Sequence, residues 1–288
     1  MAFDVGLGLE NTHVLITGGA GLVGGHVVRA FLAAGSKVTA VDLAPNTLFE
    51  DNDHHPNLHF LNADIRDPAR MEAAFRRAWS KFGPVHTCVA LASLDLSVLN
   101  QTDSLADMDP REWNNVIDTN VNGTFVTCRQ WLRSLRSAIA DNPDATSELR
   151  NVSLIIMGSE SGRFGVRTMA AYATGKAAVQ VGLLQSLALD VPRIFPRARV
   201  NAIAPGPVDT PRYREEMATY GREWHWKEAE ATVPLARAVP PEDVARTILF
   251  LASERYSGSV HGQLIPIDGG KTGALAWTQQ ELDNRITA

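Results

Sequence analysis

Two side chains that could exchange a proton stand four residues apart in the segment 172–176, YATGK. Apolar residues follow at helical spacing, and a separation of four places Tyr172 and Lys176 on one face of a helix. A free phenol has a pKa near 10, so only about 0.1% of it is ionised at neutral pH, and a nearby cation favours the phenolate. The pair predicts a tyrosine acid or base tuned by a lysine, although this spacing also arises by chance in ordinary helices.

A glycine-rich turn near the start of the chain could hold a phosphate group. The segment 17–25, TGGAGLVGG, lies between a short apolar strand and an apolar helical run. Its glycines let the backbone approach a pyrophosphate, and the N–H groups at the helix start favour an anion. A tight turn without a ligand is the alternative, but the place of this turn on a first strand favours a dinucleotide. The predicted contacts are Gly18, Gly21, Leu22, Val23 and Gly24.

Acidic residues follow the second and third predicted strands. Asp42, with Leu43 beside it, can accept hydrogen bonds from the adenosine ribose, and its charge would repel a 2′-phosphate. Arg and Lys are absent from the glycine turn and from the positions just after Asp42, so the sequence predicts NAD rather than NADP. Asp64 and Ile65 would face the same crevice and meet the adenine. A helix cap at Asp42 and a turn at Asp64 are the structural alternatives.

Short β-branched runs alternate with longer amphipathic segments along the chain. Buried strands separated by helices require right-handed crossovers, which predicts an α/β fold of the Rossmann type, a doubly wound, seven-stranded parallel sheet flanked by helices. Ligands of such sheets bind at the carboxyl ends of the strands. The strands are predicted at 13–17, 37–42, 58–63, 85–92, 152–157, 199–204 and 263–268.

Four further motifs surround the tyrosine and lysine in a fixed order. They are WNNVIDTNVNG at 113–123, LIIMGSESG at 154–162, NAIAPGPVDT at 201–210 and GQLIPIDGG at 262–270. Together with the YATGK segment, this series resembles the short-chain dehydrogenase/reductase family over nearly the whole chain, from about His13 to Gly270. The resemblance implies an NAD(H)-dependent oxidoreductase that interconverts a secondary alcohol and a ketone.

The resemblance also assigns roles to residues. Tyr172 exchanges the proton with the substrate oxygen, Ser159 polarises that oxygen, Lys176 lowers the Tyr172 pKa and holds the nicotinamide ribose, and Asn120 anchors a water that relays protons. Three of these four catalytic residues, Asn120, Tyr172 and Lys176, would also contact the cofactor. The remaining cofactor contacts that it implies are Ala92, Pro205, the Val208 backbone and the Thr210 hydroxyl. A homodimer or homotetramer would form through the helices that bear Asn120 and Tyr172.

Two departures from the family pattern lie in the cofactor half. The spacing of Gly18, Gly21 and Gly24 resembles the extended branch of the family, whereas the compact branch usually has Thr-Gly-x-x-x-Gly-x-Gly. Residues 90–93 are ALAS where the compact branch usually has Asn-Asn-Ala-Gly. The glycine spacing keeps an alternative open, an epimerase, dehydratase or isomerase that uses NAD without net turnover. A catalytically idle NAD-sensing protein is a third reading, but such a protein has little need of all four catalytic residues.

A charged and aromatic segment, about 207–235, separates the last two predicted strands and is expected to form a substrate lid on a single domain spanning 1–288. Trp224 and Trp226 could cap an apolar or aromatic substrate or could pack against the base of the lid. The cluster Asp51, Asp53, His54, His55 and His59 resembles a metal site, but Pro56 interrupts it and no metal is expected.

Composition limits the classes of partner. The formal net charge is −5 with both signs spread along the chain, which argues against a nucleic-acid or anionic-membrane surface. The start of the chain carries an acid where a signal peptide has a basic region, and no segment is apolar for the length that a bilayer needs. With only Cys88 and Cys128, we expect no disulfide and a cytoplasmic protein that acts on a small molecule.

Overall fold

The computed structural model describes residues 4–45, 55–141, 143 and 149–286. Within these residues, seven parallel strands form one sheet in the order β3-β2-β1-β4-β5-β6-β7. The strands are β1 His13–Thr17, β2 Lys37–Asp42, β3 Leu58–Asn62, β4 Thr87–Ala90, β5 Ser153–Met157, β6 Arg199–Pro205 and β7 Leu264–Ile267. The predicted α/β Rossmann-type, doubly wound parallel sheet is confirmed.

Helices lie between β1 and β2 and between each pair of successive strands from β3 to β7, and they cover both faces of the sheet. They are α1 Leu22–Ala33, α2 Pro68–Phe82, α3 Pro110–Ile117, α4 Thr124–Asp141, α5 Ser161–Phe164, α6 Ala170–Ala177, α7 Leu184–Ile194, α8 Pro211–Ala229, α9 Pro241–Ala252, α10 Glu254–Ser257 and α11 Gln279–Ile286. One core cluster packs α2, α4 and α7 on the sheet, with Phe75 and Trp131 among its buried side chains. The other packs α1 and α9 on the opposite face, through Phe31 and Ile248.

Local sequence sets the ends of these helices. At α2, the Asp67 carboxylate accepts hydrogen bonds from the N–H groups of Ala69 and Arg70, and Pro68 occupies the first helical position. The helix ends at Gly83, whose φ of 81° favours glycine. Its apolar face, which includes Met71 and Phe75, packs against β2, β3 and α4.

Two helices that border the carboxyl edge of the sheet contain a π-helical turn. Asp118–Gly123 joins α3 to α4, and Ala178–Leu183 joins α6 to α7, without interrupting the chain's helical course. π-Helical turns in proteins concentrate at functional sites, because they shift side chains out of the regular helical register. Asn120 lies in the first of these turns and Gln180 in the second.

The strand order reverses between β1 and β4. From β1 the chain proceeds outward through β2 and β3, whereas β4 continues on the other side towards β7. Ligands of doubly wound sheets bind in the crevice at this reversal, outside the carboxyl ends of the strands. The glycine turn after β1 and the residues after β4 meet there.

The segment expected to form a lid is mainly helical. α8 contains a break at Gly221, which has φ 82° and ψ −172°, so two helical pieces meet at an angle. Among the described residues, no helix is both long enough and apolar enough to cross a bilayer.

Candidate active site

The glycine turn after β1 has the backbone geometry of a phosphate cradle. Gly18 has φ +74°, and a Cβ there would lie 2.8 Å from the Ala92 Cα atom. A Cβ on Gly24 would lie 1.9 Å from the Gly18 carbonyl oxygen, so α1 can approach the turn only because this position is glycine. Gly21 precedes α1 and its helix has no side-chain cap, which leaves first-turn N–H groups at Leu22 and Val23 to bind an anion. These residues fit a dinucleotide pyrophosphate.

Asp42, at the end of β2, joins the turn to the region where the adenosine would lie. One carboxylate oxygen accepts a hydrogen bond from the Ala20 N–H at 2.9 Å, and the other accepts one from the Ala44 N–H at 3.0 Å. A carboxylate has about four acceptor positions, so this arrangement leaves room for two ribose hydroxyls. Leu43 follows and is more than half exposed.

Asp64 and Ile65 follow β3 at the same edge. The Asp64 carboxylate forms an ion pair with Arg66 at 2.7 Å, and the hydrogen bonds from Arg66 lower the Asp64 pKa. Ile65 is buried, and its Cδ1 atom lies 2.6 Å from the position of a Cβ on Gly123. Asp64 therefore lies in a turn at this edge and is paired with Arg66, and Ile65 packs on the π-helical turn.

Tyr172, on α6, is buried, with only 6% of its surface exposed. Burial raises its pKa above the usual value, the carboxylates of Asp95 and Glu160 raise it further, and a hydrogen bond with Ser159 opposes them. Its ring packs with Met169 and Val116 in a small apolar cluster that the loop after β4 partly covers. At neutral pH the phenol keeps its proton in this arrangement.

Lys176 lies one helical turn beyond Tyr172, as the spacing predicts, and its Nζ atom is 5.6 Å from the centre of the tyrosine ring. It is 2% exposed, and burial lowers its pKa to about 8, which Asp95 partly opposes. The ammonium donates hydrogen bonds to the Ser93 hydroxyl at 3.2 Å and to the Met157 carbonyl at 3.1 Å. An ammonium has three donors, so one is left for a ligand.

Ser159, just beyond β5, is held from two sides. Its N–H donates to the Gln180 side-chain oxygen at 2.8 Å, and its hydroxyl donates to the Ser161 hydroxyl at 3.1 Å. Gln180 is 1% exposed and its carboxamide fills the space between Gly158 and Gly162. Ser159 thus has a fixed backbone, and its side chain is near enough to Tyr172 to lower the pKa of the phenol.

Asn120 is buried in the π-helical turn between α3 and α4, but its side chain contacts Leu94 rather than Lys176. The carboxamide accepts from the Leu94 N–H at 2.7 Å and donates to the Leu94 carbonyl at 3.1 Å. The Asn120 carbonyl accepts a hydrogen bond from the Thr124 hydroxyl at 2.8 Å. Asn120 therefore fixes the loop that follows β4.

Pro205 ends β6, and Val208 and Thr210 follow it at the carboxyl edge of the sheet. The Pro205 carbonyl accepts from the Glu160 N–H at 2.9 Å, which holds the β6 end against the Ser159 turn. Val208 forms a parallel bridge with Val239. The Thr210 hydroxyl caps α8 by accepting from the Tyr213 N–H at 3.2 Å, and its own proton remains available to a ligand.

A second buried charge adjoins this group. Glu160, the residue after Ser159, forms an ion pair with Lys271 at 2.6 Å, and both side chains are less than one fifth exposed. Burial raises the Glu160 pKa to about 7 although Lys271 lowers it, and Asp268 and Glu228 add repulsion. Burial therefore raises the Glu160 pKa by more than Lys271 lowers it.

The aromatic residues of α8 pack mainly on one another and on the chain's end. Trp224 lies between Tyr213 and Tyr220, with ring centres 5.3 and 5.7 Å away. Trp226 donates a hydrogen bond to the Trp277 carbonyl at 3.1 Å. Arg212, at the start of α8, donates to the Ser97 carbonyl, which connects this helix to the loop after β4 across the mouth of the site.

Only part of the histidine and aspartate cluster considered as a metal site lies within the described residues. Asp51, Asp53 and His54 lie outside the described residues, whereas the His59 ring packs edge-on against Phe82 at 6.3 Å. Across 4–45, 55–141, 143 and 149–286, no group of three His, Cys, Asp or Glu side chains is placed to hold a metal ion.

Several partners of the predicted site residues were not among those singled out from the sequence. Ser93 contacts Lys176, Gln180 holds Ser159, and Asp95 is close enough to shift the pKa of both Tyr172 and Lys176. Gln180 could have been found, because it stands four residues after Lys176 as a polar side chain in an apolar run. Ser93 and Asp95 have no such periodic signal.

Comparisons with known proteins agree with this geometry. A family model described as enoyl-(acyl carrier protein) reductase matches residues 20–272. The 3-oxoacyl-[acyl-carrier-protein] reductase FabG of Thermotoga maritima is 30% identical over 268 residues, covering 91% of this chain and 98% of that protein. The acetoacetyl-CoA reductase of Synechocystis sp. is 28% identical over 263 residues, covering 91% and 97%.

The fold is also found among solved structures. A structure from Brucella melitensis, described as short-chain dehydrogenase/reductase SDR and glucose/ribitol dehydrogenase, superposes with a TM-score of 0.76 at 24% identity, covering 92% of this chain and 98% of that one. The family match spans most of the sequence, and the relatives are aligned over nearly their whole length. The chain therefore belongs to the short-chain dehydrogenase/reductase family, and the relatives named here are reductases.

Proposed function

We propose that this protein is an NAD(H)-dependent oxidoreductase that interconverts a secondary alcohol and a ketone, with Tyr172 as the general acid and base. The observation that carries the proposal is the grouping of three side chains at the carboxyl edge of the sheet. Ser159 is near enough to the buried Tyr172 phenol to lower its pKa, and the Lys176 ammonium lies 5.6 Å from the centre of the tyrosine ring. This grouping lies next to a glycine turn that suits a dinucleotide.

The cofactor half of the site supports NAD. The N–H groups at Leu22 and Val23 and the uncapped start of α1 would hold the pyrophosphate, and the Asp42 carboxylate would bind the ribose hydroxyls. The same carboxylate would lie against a 2′-phosphate and repel it. Lys176 has one ammonium donor free for the nicotinamide ribose, and Thr210 has a hydroxyl proton free for the carboxamide.

The chain's own residues handle the proton. When bound, the nicotinamide exchanges a hydride with the substrate carbon. Tyr172 keeps its proton at neutral pH, so in the reductive direction it donates that proton to the ketone oxygen. In the oxidative direction the phenol first releases its proton to solvent, and the phenolate then accepts the proton of the alcohol while Ser159 holds the same oxygen from the other side. The charge of Lys176 favours the phenolate that forms when the proton leaves.

The substrate is proposed to be small and largely apolar or aromatic. Tyr172 is bordered by Leu94, Leu96, Leu99 and Met108 of the loop after β4, and α8 adds its aromatic side chains at the other side of the mouth. The link between Arg212 and the Ser97 carbonyl joins these two segments. Because this link crosses the mouth, it must open or shift when a large substrate enters.

We further propose a homodimer or homotetramer, formed through the face of α4 and α7. A groove of about 930 Å³ lies between these helices, with Leu132, Leu183 and Leu187 in its wall. Phe125, at its rim, is 50% exposed, as is Val181 in the adjoining π-helical turn at 51%. A large apolar side chain that faces solvent beside such a groove is typical of an association surface.

The test of the proposed activity is the pair of variants Tyr172→Phe and Tyr256→Phe. Tyr256, on α10, is a matched control. Its hydroxyl donates a hydrogen bond to the Val5 carbonyl, remote from the carboxyl edge of the sheet. The wild-type enzyme is assayed with NAD and a panel of secondary alcohols, and with NADH and the matching ketones. Tyr172→Phe should bind NADH with nearly unchanged affinity and lose turnover by at least about 100-fold, the range expected for general acid–base catalysis.

The outcomes separate the competing functions. Net formation of NADH from an alcohol supports the dehydrogenase, whereas a product formed without net NADH would indicate an epimerase, dehydratase or isomerase. Wild-type activity in Tyr172→Phe would disprove the assigned role of Tyr172. Loss of activity in Tyr256→Phe would show that the assay responds to general damage.

A further inference from the structure

Lys176 is a buried cation whose partners determine whether it stays charged. It is 2% exposed, and burial brings its pKa down to about 8. Two hydrogen bonds compensate for the lost water, one to the Met157 carbonyl and one to the Ser93 hydroxyl. The Met157 carbonyl is backbone at the end of β5 and is present whatever the side chain. Ser93 is the side-chain partner that this particular sequence supplies.

The Ser93 backbone is fixed on both sides. Before it, the Ala92 N–H donates to the Thr17 hydroxyl at 3.3 Å, and Ala92 packs directly on Gly18. After it, Leu94 is bonded through both its N–H and its carbonyl to the Asn120 carboxamide. The Ser93 backbone cannot move away from the ammonium without breaking one of these contacts, so its Cβ atom is held where the hydroxyl reaches the ammonium.

The position of Ser93 also distinguishes this chain from the family pattern. It stands where the compact branch usually has the glycine of Asn-Asn-Ala-Gly, so a side-chain hydroxyl at this place is a property of this sequence. The Asn120 carbonyl, meanwhile, accepts from Thr124, and the Asn120 side chain is occupied by Leu94. Among the described residues the Lys176 ammonium is therefore joined to the loop after β4 through Ser93.

We propose that Ser93 is a positioning residue for Lys176. The Ser93 hydroxyl accepts a hydrogen bond from the Lys176 ammonium, which keeps the ammonium charged and directed towards Tyr172. A hydrogen bond to a charged group favours the charged form, so Ser93 raises the Lys176 pKa relative to the same burial without it. A charged Lys176 in turn favours the Tyr172 phenolate. The second step depends on the proposed function, whereas the first concerns the protein alone.

The first experiment measures the Lys176 pKa directly in the protein without added cofactor. The chain is labelled with 13C-lysine, and the Cε resonances are followed against pH; there are few to assign, and Lys176→Met identifies the one of interest. Ser93→Ala should lower the Lys176 pKa by about 1 pH unit, the size expected when a charge-assisted hydrogen bond is lost. Ser93→Thr retains a hydroxyl and should restore the wild-type value. Ser104→Ala, an exposed serine of the same loop that caps Leu105–Asp107, should leave the resonance unchanged.

The second experiment uses an alcohol that the wild-type enzyme oxidises. In Ser93→Ala, the acid limb of the kcat/KM profile should move to higher pH, and kcat at pH 7 should fall about 5-fold to 10-fold, because Lys176 is less charged and Tyr172 ionises less readily. KM for the alcohol should change by less than about 2-fold. A purely structural role would lower the melting temperature without moving the pH profile.

An unchanged Lys176 pKa in Ser93→Ala would overturn the proposal, because water would then replace the hydroxyl without loss. Failure of Ser93→Thr to restore the pKa would also contradict it. A lowered Lys176 pKa together with an unchanged activity profile would support Ser93 and contradict the proposed role of Lys176 in catalysis. The two claims therefore fail separately.

Discussion

The buried carboxylate of Glu160 should make the protein less stable as the pH rises through neutrality. Its side chain is 11% exposed, one oxygen bonds to Lys271, and the other has no partner among the described residues. Burial raises its pKa from 4.5 to about 7. Between these two values the folded protein binds more protons than the unfolded chain, so the contribution of Glu160 is fully present below pH 4.5 and is lost as the pH rises through 7.

The magnitude follows from the size of the shift. A difference of 2.5 pH units, at about 1.36 kcal/mol for each unit, corresponds to about 3 kcal/mol over the full transition. Most of it, about 2.5 kcal/mol, falls between pH 5 and pH 8. Glu160→Gln has nearly the same shape and does not titrate. The free energy of unfolding of this variant should therefore rise relative to wild type by about that amount across this range.

Urea denaturation at a series of pH values measures the difference directly, and other titrating groups cancel in it. Glu72→Gln, on the exposed side of α2, is the control for the removal of a carboxylate as such. A difference between Glu160→Gln and wild type that stays constant with pH would refute the reasoning. It would mean that the ion pair with Lys271 fully offsets the loss of hydration of the Glu160 carboxylate.

Three further changes test other parts of the structure. Asp42→Ala should reduce the ratio of the NADPH to the NADH dissociation constant by about 10-fold, because it removes a charged hydrogen-bond acceptor; both constants are measured by cofactor fluorescence. A wild-type protein that binds NADPH more tightly than NADH would contradict the assignment. Phe125→Glu should lower the oligomer mass seen by light scattering, whereas Leu275→Glu, at 61% exposure elsewhere, should not. Burial lowers the His13 pKa from 6.5 to about 4, so its contribution to stability is present above pH 6.5 and disappears towards pH 4. The fall of about 3 kcal/mol in the free energy of unfolding that this causes on acidification should be absent in His13→Gln. An equal dependence of that free energy on pH in both proteins would contradict this.

The strands could be predicted from the sequence because parallel strands buried on both faces read as continuous apolar runs. The prediction for β4 was too long, 85–92 against the observed Thr87–Ala90. The reason lies beyond the strand, where the N–H groups of Leu91 and Ala92 turn towards the Thr17 hydroxyl instead of continuing the ladder. A side chain more than seventy positions away ends this strand, and no local pattern contains that information.

The same limit applies to the candidate site. The proximity of Tyr172 and Lys176 follows from helical periodicity, and the end of β5 brings Ser159 near them. The contacts of Ser93 and Asn120 depend on how separate segments meet at the edge of the sheet, so the sequence indicated Asn120 without its partner and did not indicate Ser93. The aromatic segment could be recognised from its composition, but the break at Gly221 determines which of its rings pack together.

Burial acts on Tyr172 and Lys176 in opposite senses, and this explains why the lysine needs so many partners. Desolvation raises the pKa of the phenol and lowers the pKa of the ammonium, so both changes oppose the charged pair that base chemistry requires. Asp95 helps Lys176 to remain charged but makes the phenolate less favourable, because the same negative charge raises both pKa values. A neutral acceptor such as the Ser93 hydroxyl stabilises the ammonium without adding negative charge near the phenol. Hydrogen bonds from the ammonium to uncharged acceptors are therefore the better means of keeping this buried lysine charged.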